Sequence, residues 1–134
     1  MIGGDAFTAE EEDPARAFTG IFDGAGHAIT IDYAASYDGV GLFKVVDSST
    51  IKNLMVKGSI ETSNRFAGGL MFVTRGNSTF ENIVVDVDIN GSYVGDATHG
   101  GICAVAHETP TFSNCAFIGS MVAEGCEGSA AIIG

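Results

Sequence analysis

The chain has 134 residues and 13.8 kDa, enough for one domain with a real core. A hydrophobic fraction of 46% and a mean hydropathy of +0.27 exclude intrinsic disorder. Six Lys and Arg against seventeen Asp and Glu leave a net charge of −11, which argues against nucleic acid, anionic lipid or any other polyanion as partner.

The opening Met1-Ile2-Gly3-Gly4 has neither a basic stretch nor an apolar run of the kind that leads a secreted chain. No apolar run approaches the roughly 18 residues of a membrane span, so no membrane insertion is expected. Glu10-Glu11-Glu12-Asp13-Pro14 reads as a solvated acidic loop. Residues 1–17 are expected to stand ahead of the main domain, 18–134, and to include this acidic loop. Next comes Phe18-Thr19-Gly20-Ile21-Phe22-Asp23-Gly24-Ala25-Gly26-His27-Ala28-Ile29, dense in turn formers.

From there a period governs the chain. Gly41, Gly69, Gly101 and a degenerate Ala131 each precede two apolar residues, at intervals of 28, 32 and 30. A second anchor reads Thr50-Ile51-Lys52-Asn53-Leu54, Thr79-Phe80-Glu81-Asn82-Ile83 and Thr111-Phe112-Ser113-Asn114-Cys115, its asparagines 29 and 32 residues apart. Two anchors that drift in the same steps mark a true repeat.

Strict alternation follows each asparagine. Leu54, Val56, Gly58 and Ile60, then Ile83, Val85, Val87 and Ile89, then Cys115, Phe117, Gly119 and Met121 share one face, while Lys57, Ser59, Glu61, Asp86, Asp88, Asn90 and Ser120 hold the other. Only the first face can be core. A unit of about 30 residues built from short strands cannot bury that face alone and must stack on its copies. The expected fold is all-β, a parallel β-helix of about four coils with open or atypically capped ends; the period excludes left-handed hexapeptide repeats.

In such a solenoid Asn53, Asn82 and Asn114 sit at a corner, where Asn tolerates left-handed backbone and stacked amides bond from coil to coil. Ile51, Phe80 and Phe112 stack inside next to them. Aligning strands through the asparagines sets Ala28 where the ladder would continue, and sets Asp32, Lys57 and Asp86 in one charge column.

The segment from Phe18 to Ile29, followed by the Gly-Leu-Phe and Thr-Ile-Lys-Asn-Leu steps, resembles the GLUG-type β-helical repeats of large bacterial surface proteins. The resemblance covers the chain from about Phe18 onward. It implies a right-handed parallel β-helix, a structural role for Asp23, Gly24, Gly26 and His27, and a place outside the cell or on its surface in an adhesin-like bacterial protein. Ile2-Gly3-Gly4 looks like the remnant of a strand that precedes the segment in that family, which implies a partial coil within residues 1–17 and an incomplete last coil in the β-helix of 18–134. The chain then reads as a piece of a longer protein, or as a subunit whose ends are covered by further coils of a parent chain or by other copies.

Catalytic patterns are missing from the sequence. The polygalacturonase-like set of Asn-x-Asp, Asp-Asp, Gly-His-Gly and Arg-x-Lys has no member here. Asp86-Val87-Asp88-Ile89-Asn90-Gly91 imitates the start of a calcium loop, but its twelfth position is Ala97 where glutamate is required. A surface calcium site at Asp86, Asp88 and Asp96 is the only metal site expected, and no cofactor is. His27, His99 and His107 read as exposed or hydrogen-bonded, and Cys103, Cys115 and Cys126 as small core residues. The expected function is a non-catalytic structural or adhesive module that meets surface glycans or proteins. Alternatives are a carbohydrate-active or glycan-binding β-helix, and a subunit that stacks end to end into a filament.

Overall fold

The structure is a computed structural model that describes residues 1–3 and 14–134; the acidic cluster at Glu10–Asp13 lies outside the described residues. After a short 3-10 turn at Pro14–Arg16, strands recur in threes. The first coil is β1 (Ile21–Asp23) with β2 (Ala28–Ala35), then β3 (Phe43–Asp47). The second is β4 (Thr50–Thr62), β5 (Phe66–Gly68) and β6 (Met71–Arg75). The third is β7 (Thr79–Gly91), β8 (Gly95–Gly100) and β9 (Cys103–Ala106). The last is β10 (Thr111–Phe117), β11 (Met121–Ala123) and β12 (Cys126–Ala130).

Every pairing between these strands is parallel. They form three sheets, with β1 and β2, β4, β7, and β10 and β11 in the broad one, β5-β8-β12 in the second and β3-β6-β9 in the third. The chain is thus a parallel β-solenoid of about four turns, each coil about 4.8 Å above the last.

The interior columns follow from alternation. Leu54 pairs in register with Ile83 and Ile83 with Cys115; Val56, Val85 and Phe117 make the next column, Ile60, Ile89 and Met121 another. The second- and third-coil members of each are buried. Phe22, Ile51, Phe80 and Phe112 also stack in register, the last two rings 4.7 Å apart.

The anchor glycines serve close approach. A Cβ on Gly41 would meet the Gly68 carbonyl oxygen at 2.8 Å; one on Gly69 would strike Val85 and Gly101, and one on Gly101 would overlap the Ala131 carbonyl and Phe117. Only hydrogen fits there, which is why the period announces itself through glycine. The degenerate fourth anchor, Ala131, is exposed in the last coil.

One register expectation is corrected. Thr30, not Asp32, pairs with Lys57, and Asp32 pairs with Ser59. The reason is local. The offset between coils changes from Asp23 opposite Lys52 to Ala28 opposite Met55, so the corner at Gly24–His27 holds two residues more than the later corners. A charge column through Asp32, Lys57 and Asp86 therefore does not exist; Lys57 has Asp86 on one side and Thr30 on the other.

At the N-terminal end Ile2 pairs with Phe43 and Phe18 with Val46, so the third sheet gains short parallel bridges outside β3. Phe18, Phe22 and Phe43 pack there as an aromatic triad with centroids 5.4–6.4 Å apart.

Thiol reactivity should follow burial. Cys103 is fully buried and its thiol is pushed up to about 12 by desolvation. At pH 8 roughly one molecule in ten thousand would carry its thiolate. Cys126 is partly exposed. Timed alkylation of the native protein followed by peptide mapping should modify Cys126 at least 100-fold faster than Cys103, and comparable rates would mean that the solenoid interior opens to solvent.

Candidate functional site

The corner between the inner turn of the broad sheet and its long run carries the asparagine ladder. Asn53, Asn82 and Asn114 have φ of 53°, 54° and 52°, the left-handed region that Asn tolerates better than other side chains. Asn82 Nδ2 donates to Asn53 Oδ1 at 3.0 Å, and Asn114 Nδ2 donates to Asn82 Oδ1 at 2.7 Å. The first rung is not at Ala28, as the alignment had it. Asp23 supplies it: its Oδ1 accepts from Asn53 Nδ2 at 3.0 Å and from the Ala25 N–H at 2.9 Å.

Those two hydrogen bonds, Asn53 first, hold the Asp23 carboxyl below its usual value, and Lys52 Nζ at 3.6 Å adds to them. Gly24 lies against the Asn53 carbonyl, where a Cβ would come to 2.6 Å. Gly26 takes φ of 79° in open space. His27 is exposed and acts through its backbone, its N–H bonded to the Gly24 carbonyl and its carbonyl to Met55.

The outward face of the broad sheet repeats this pattern of coil-to-coil ties. Ser59 Oγ donates to Asp32 at 3.0 Å, Ser120 Oγ to Asp88 at 2.6 Å, and Asn90 Nδ2 to Glu61 at 3.2 Å. Beside the ladder Met55 and Val84 floor a shallow cavity of about 310 Å³ with Asn53 and Asn82 on its rim.

At the far end of the same strands lies a larger groove of about 480 Å³. Three coils build it from equivalent residues: Ala34, Ala35 and Ser36; Glu61, Thr62 and Ser63; Asn90, Gly91 and Ser92. Its walls offer hydroxyls, one carboxylate and one amide. No imidazole or thiol lines it.

Asp86, Asp88 and Asp96 do not converge. Asp86 and Asp88 project from β7, whereas Asp96 sits on β8 in another sheet and pairs with Arg65 at 3.4 Å. Among the described residues no three His, Cys, Asp or Glu side chains are grouped to hold a metal ion.

His99 is hydrogen-bonded at one ring nitrogen only. It is fully buried over Gly91, whose missing Cβ leaves room for the ring, and its Nε2 lies 3.4 Å from the Asn64 carbonyl. Nδ1 has no partner among the described residues. Desolvation lowers its pKa below the ordinary 6.5, partly offset by the Asn64 contact. The unfolded histidine takes a proton that the folded one resists. Stability is therefore complete above about pH 6.5 and falls as the pH drops below it.

Asp23 acts in a separate, lower window, since its depressed carboxyl contributes above about 3.8 and is lost as pH falls further. Thermal melts of the wild type should show a decline as the pH falls below about 6.5 that His99→Gln removes. An unchanged slope in the variant would assign the decline to other groups.

A further ladder lay outside the sequence reading. Ser49 and Ser78 are buried at the corner leading into β4 and β7; Ser49 Oγ accepts from the Gly20 N–H at 3.1 Å, and Ser78 Oγ accepts from the Ser49 N–H at 3.3 Å. Both serines directly precede the Thr of the second anchor, a signal that was present in the repeat.

No family model matches the chain, and no curated protein or solved structure matches it either.

Proposed function

We propose that the chain is a non-catalytic structural or adhesive module whose rigid solenoid presents repeated side chains to surface glycans or proteins. One observation carries this reading. The outward polar groups tie one coil to the next, through Asp32 with Ser59, Glu61 with Asn90 and Asp88 with Ser120, and the groove that Glu61 and Asn90 line offers serine hydroxyls with neither an imidazole nor a thiol beside them to act as base or nucleophile. The resemblance of the Phe18–Ile29 segment to GLUG-type repeats supports a bacterial, adhesin-like protein at the cell surface.

A glycan-binding reading has one observation in its favour. The groove of about 480 Å³ aligns Ser36, Ser63 and Ser92 from three coils, hydroxyls that a linear sugar polymer running along the solenoid could meet in turn.

Both readings are tested in one experiment. Purified protein incubated with polygalacturonate and other uronic polymers, with and without calcium, should leave chain length unchanged, while an immobilised panel of glycans and surface proteins should retain it. Unsaturated products that Lys57→Ala abolishes would overturn the non-catalytic reading. Retention by glycans that is lost in Ser63→Trp, which fills the groove, would favour glycan binding over protein contact.

A further inference from the structure

We propose that the outward face of the broad sheet binds a second copy of this chain, about a two-fold axis that runs parallel to the strands and passes between β4 and β7. The inference stands apart from the function proposed above.

Charge on that face is divided by coil. β4 carries Lys52 and Lys57 with Glu61, two cations and one anion, for a net charge of +1, whereas β7 carries the three anions Glu81, Asp86 and Asp88, for −3. None of the six is buried. In register Lys52 stands beside Glu81 and Lys57 beside Asp86, with Met55 beside Val84 as half-buried apolar side chains between the two charge columns.

Turning a second copy by 180° about the axis reverses the order of the coils and keeps each position along the strands. Lys52 then faces Glu81 of the second copy, Lys57 faces its Asp86, and Met55 faces its Val84. Each of these contacts occurs twice, as an isologous interface requires. The remaining columns agree, since Asp88 meets Ser59 and Glu61 meets Asn90, and Ala34 in the first coil meets Val122, which is 52% exposed in the last. No carboxylate opposes a carboxylate. An axis moved onto β4 would set Lys57 against itself, and one moved onto β7 would set Asp86 against itself, so the charges select a single register.

The deciding ions lie in the second and third coils, with a coil on either side, so this register does not rest on what precedes or follows the chain. The face is also large enough. Strands of 13 residues span roughly 40 Å and four coils roughly 19 Å. That footprint is close to the ~800 Å² per partner of a standard interface. Two copies of −11 repel one another, but at about 0.15 M salt the Debye length of about 8 Å confines that repulsion while facing ions remain in contact.

The test uses the full chain at about 0.15 M salt. Between about 1 μM and 1 mM protein, sedimentation equilibrium should show the mass rising from 13.8 kDa to twice that value. Lys57→Asp and Asp86→Lys should each weaken association at least tenfold, because each sets like charges face to face twice. An equimolar mixture of the two variants should restore it, since opposite charges meet again across the interface although neither chain regains its own pair. A half-labelled sample of the wild type adds a measurement without substitution, in which isotope-filtered contacts should join the methyl group of Met55 in one copy to those of Val84 in the other. A wild type that stays monomeric at about 1 mM, single variants that associate as well as the wild type, a mixture no heavier than its components, or filtered contacts from Met55 to any other face of the chain would each overturn the proposal.

Discussion

Gly58→Val is expected to destabilise the solenoid by more than about 4 kcal/mol, which lowers the melting temperature by roughly 15 °C or prevents folding. Gly58 lies inside the broad sheet with φ of 119°, a conformation that L side chains rarely adopt. Its missing Cβ would overlap the carbonyl oxygen of Ile31, its register partner in the coil before. Backbone is the obstacle. The strand β2 would have to move away from β4, opening the columns of Ile29 with Val56 and Tyr33 with Ile60 on either side. Gly26→Ala separates the two causes, because Gly26 also has positive φ, 79°, but nothing lies within 4 Å of its added Cβ. That change should cost about 1–2 kcal/mol. A Gly58 variant no worse than the Gly26 one, measured by urea denaturation, would mean that the close approach to Ile31 is absent.

Asn82→Leu comes next, at about 3 kcal/mol. Leucine in the left-handed region costs roughly 1–2 kcal/mol. The loss of two rungs, one donated to Asn53 and one accepted from Asn114, adds roughly 0.5–1.5 kcal/mol each. Graded variants resolve the sum. Asn82→Gly keeps the backbone and loses both rungs, whereas Asn82→Asp keeps the acceptor for Asn114 and loses only the donor to Asn53. Stability should fall in the order Asn, Asp, Gly, Leu near neutral pH. A melting temperature that ignores all three changes would make the ladder an ornament of the corner and not part of what holds it.

Much of the architecture was legible because a solenoid writes each structural demand several times. The columns of Leu54 with Ile83 and Cys115, and of Val56 with Val85 and Phe117, follow from alternation once Asn53, Asn82 and Asn114 are aligned. The glycine anchors are legible for the same reason, since steric exclusion of Cβ recurs where coils pack closest.

The first coil was misread because it breaks the repeat. Its corner is two residues longer, and an aspartate replaces the asparagine, so Ala28 took the place of Asp23 and Asp32 that of Thr30. The full burial of His99 was not legible because it depends on a partner in another strand, the glycine at 91, and no spacing in one dimension announces that pair. The candidate surface was less legible still. The groove at Ser36, Ser63 and Ser92 forms where three turns line up in space, although each turn taken alone is an ordinary polar connection.

The central claim is a parallel stack with the ladder at its corner. Nuclear Overhauser contacts between methyl groups in solution test it most directly. Leu54 should show contacts to Ile83, Val56 to Val85, and Ile60 to Ile89, with Asn82 side-chain amide protons close to Asn53 and no strong Hα–Hα contacts between strands. Strong Hα–Hα contacts between β4 and β7, the mark of antiparallel neighbours, or Leu54 shifted by one residue against β7, would contradict the solenoid itself.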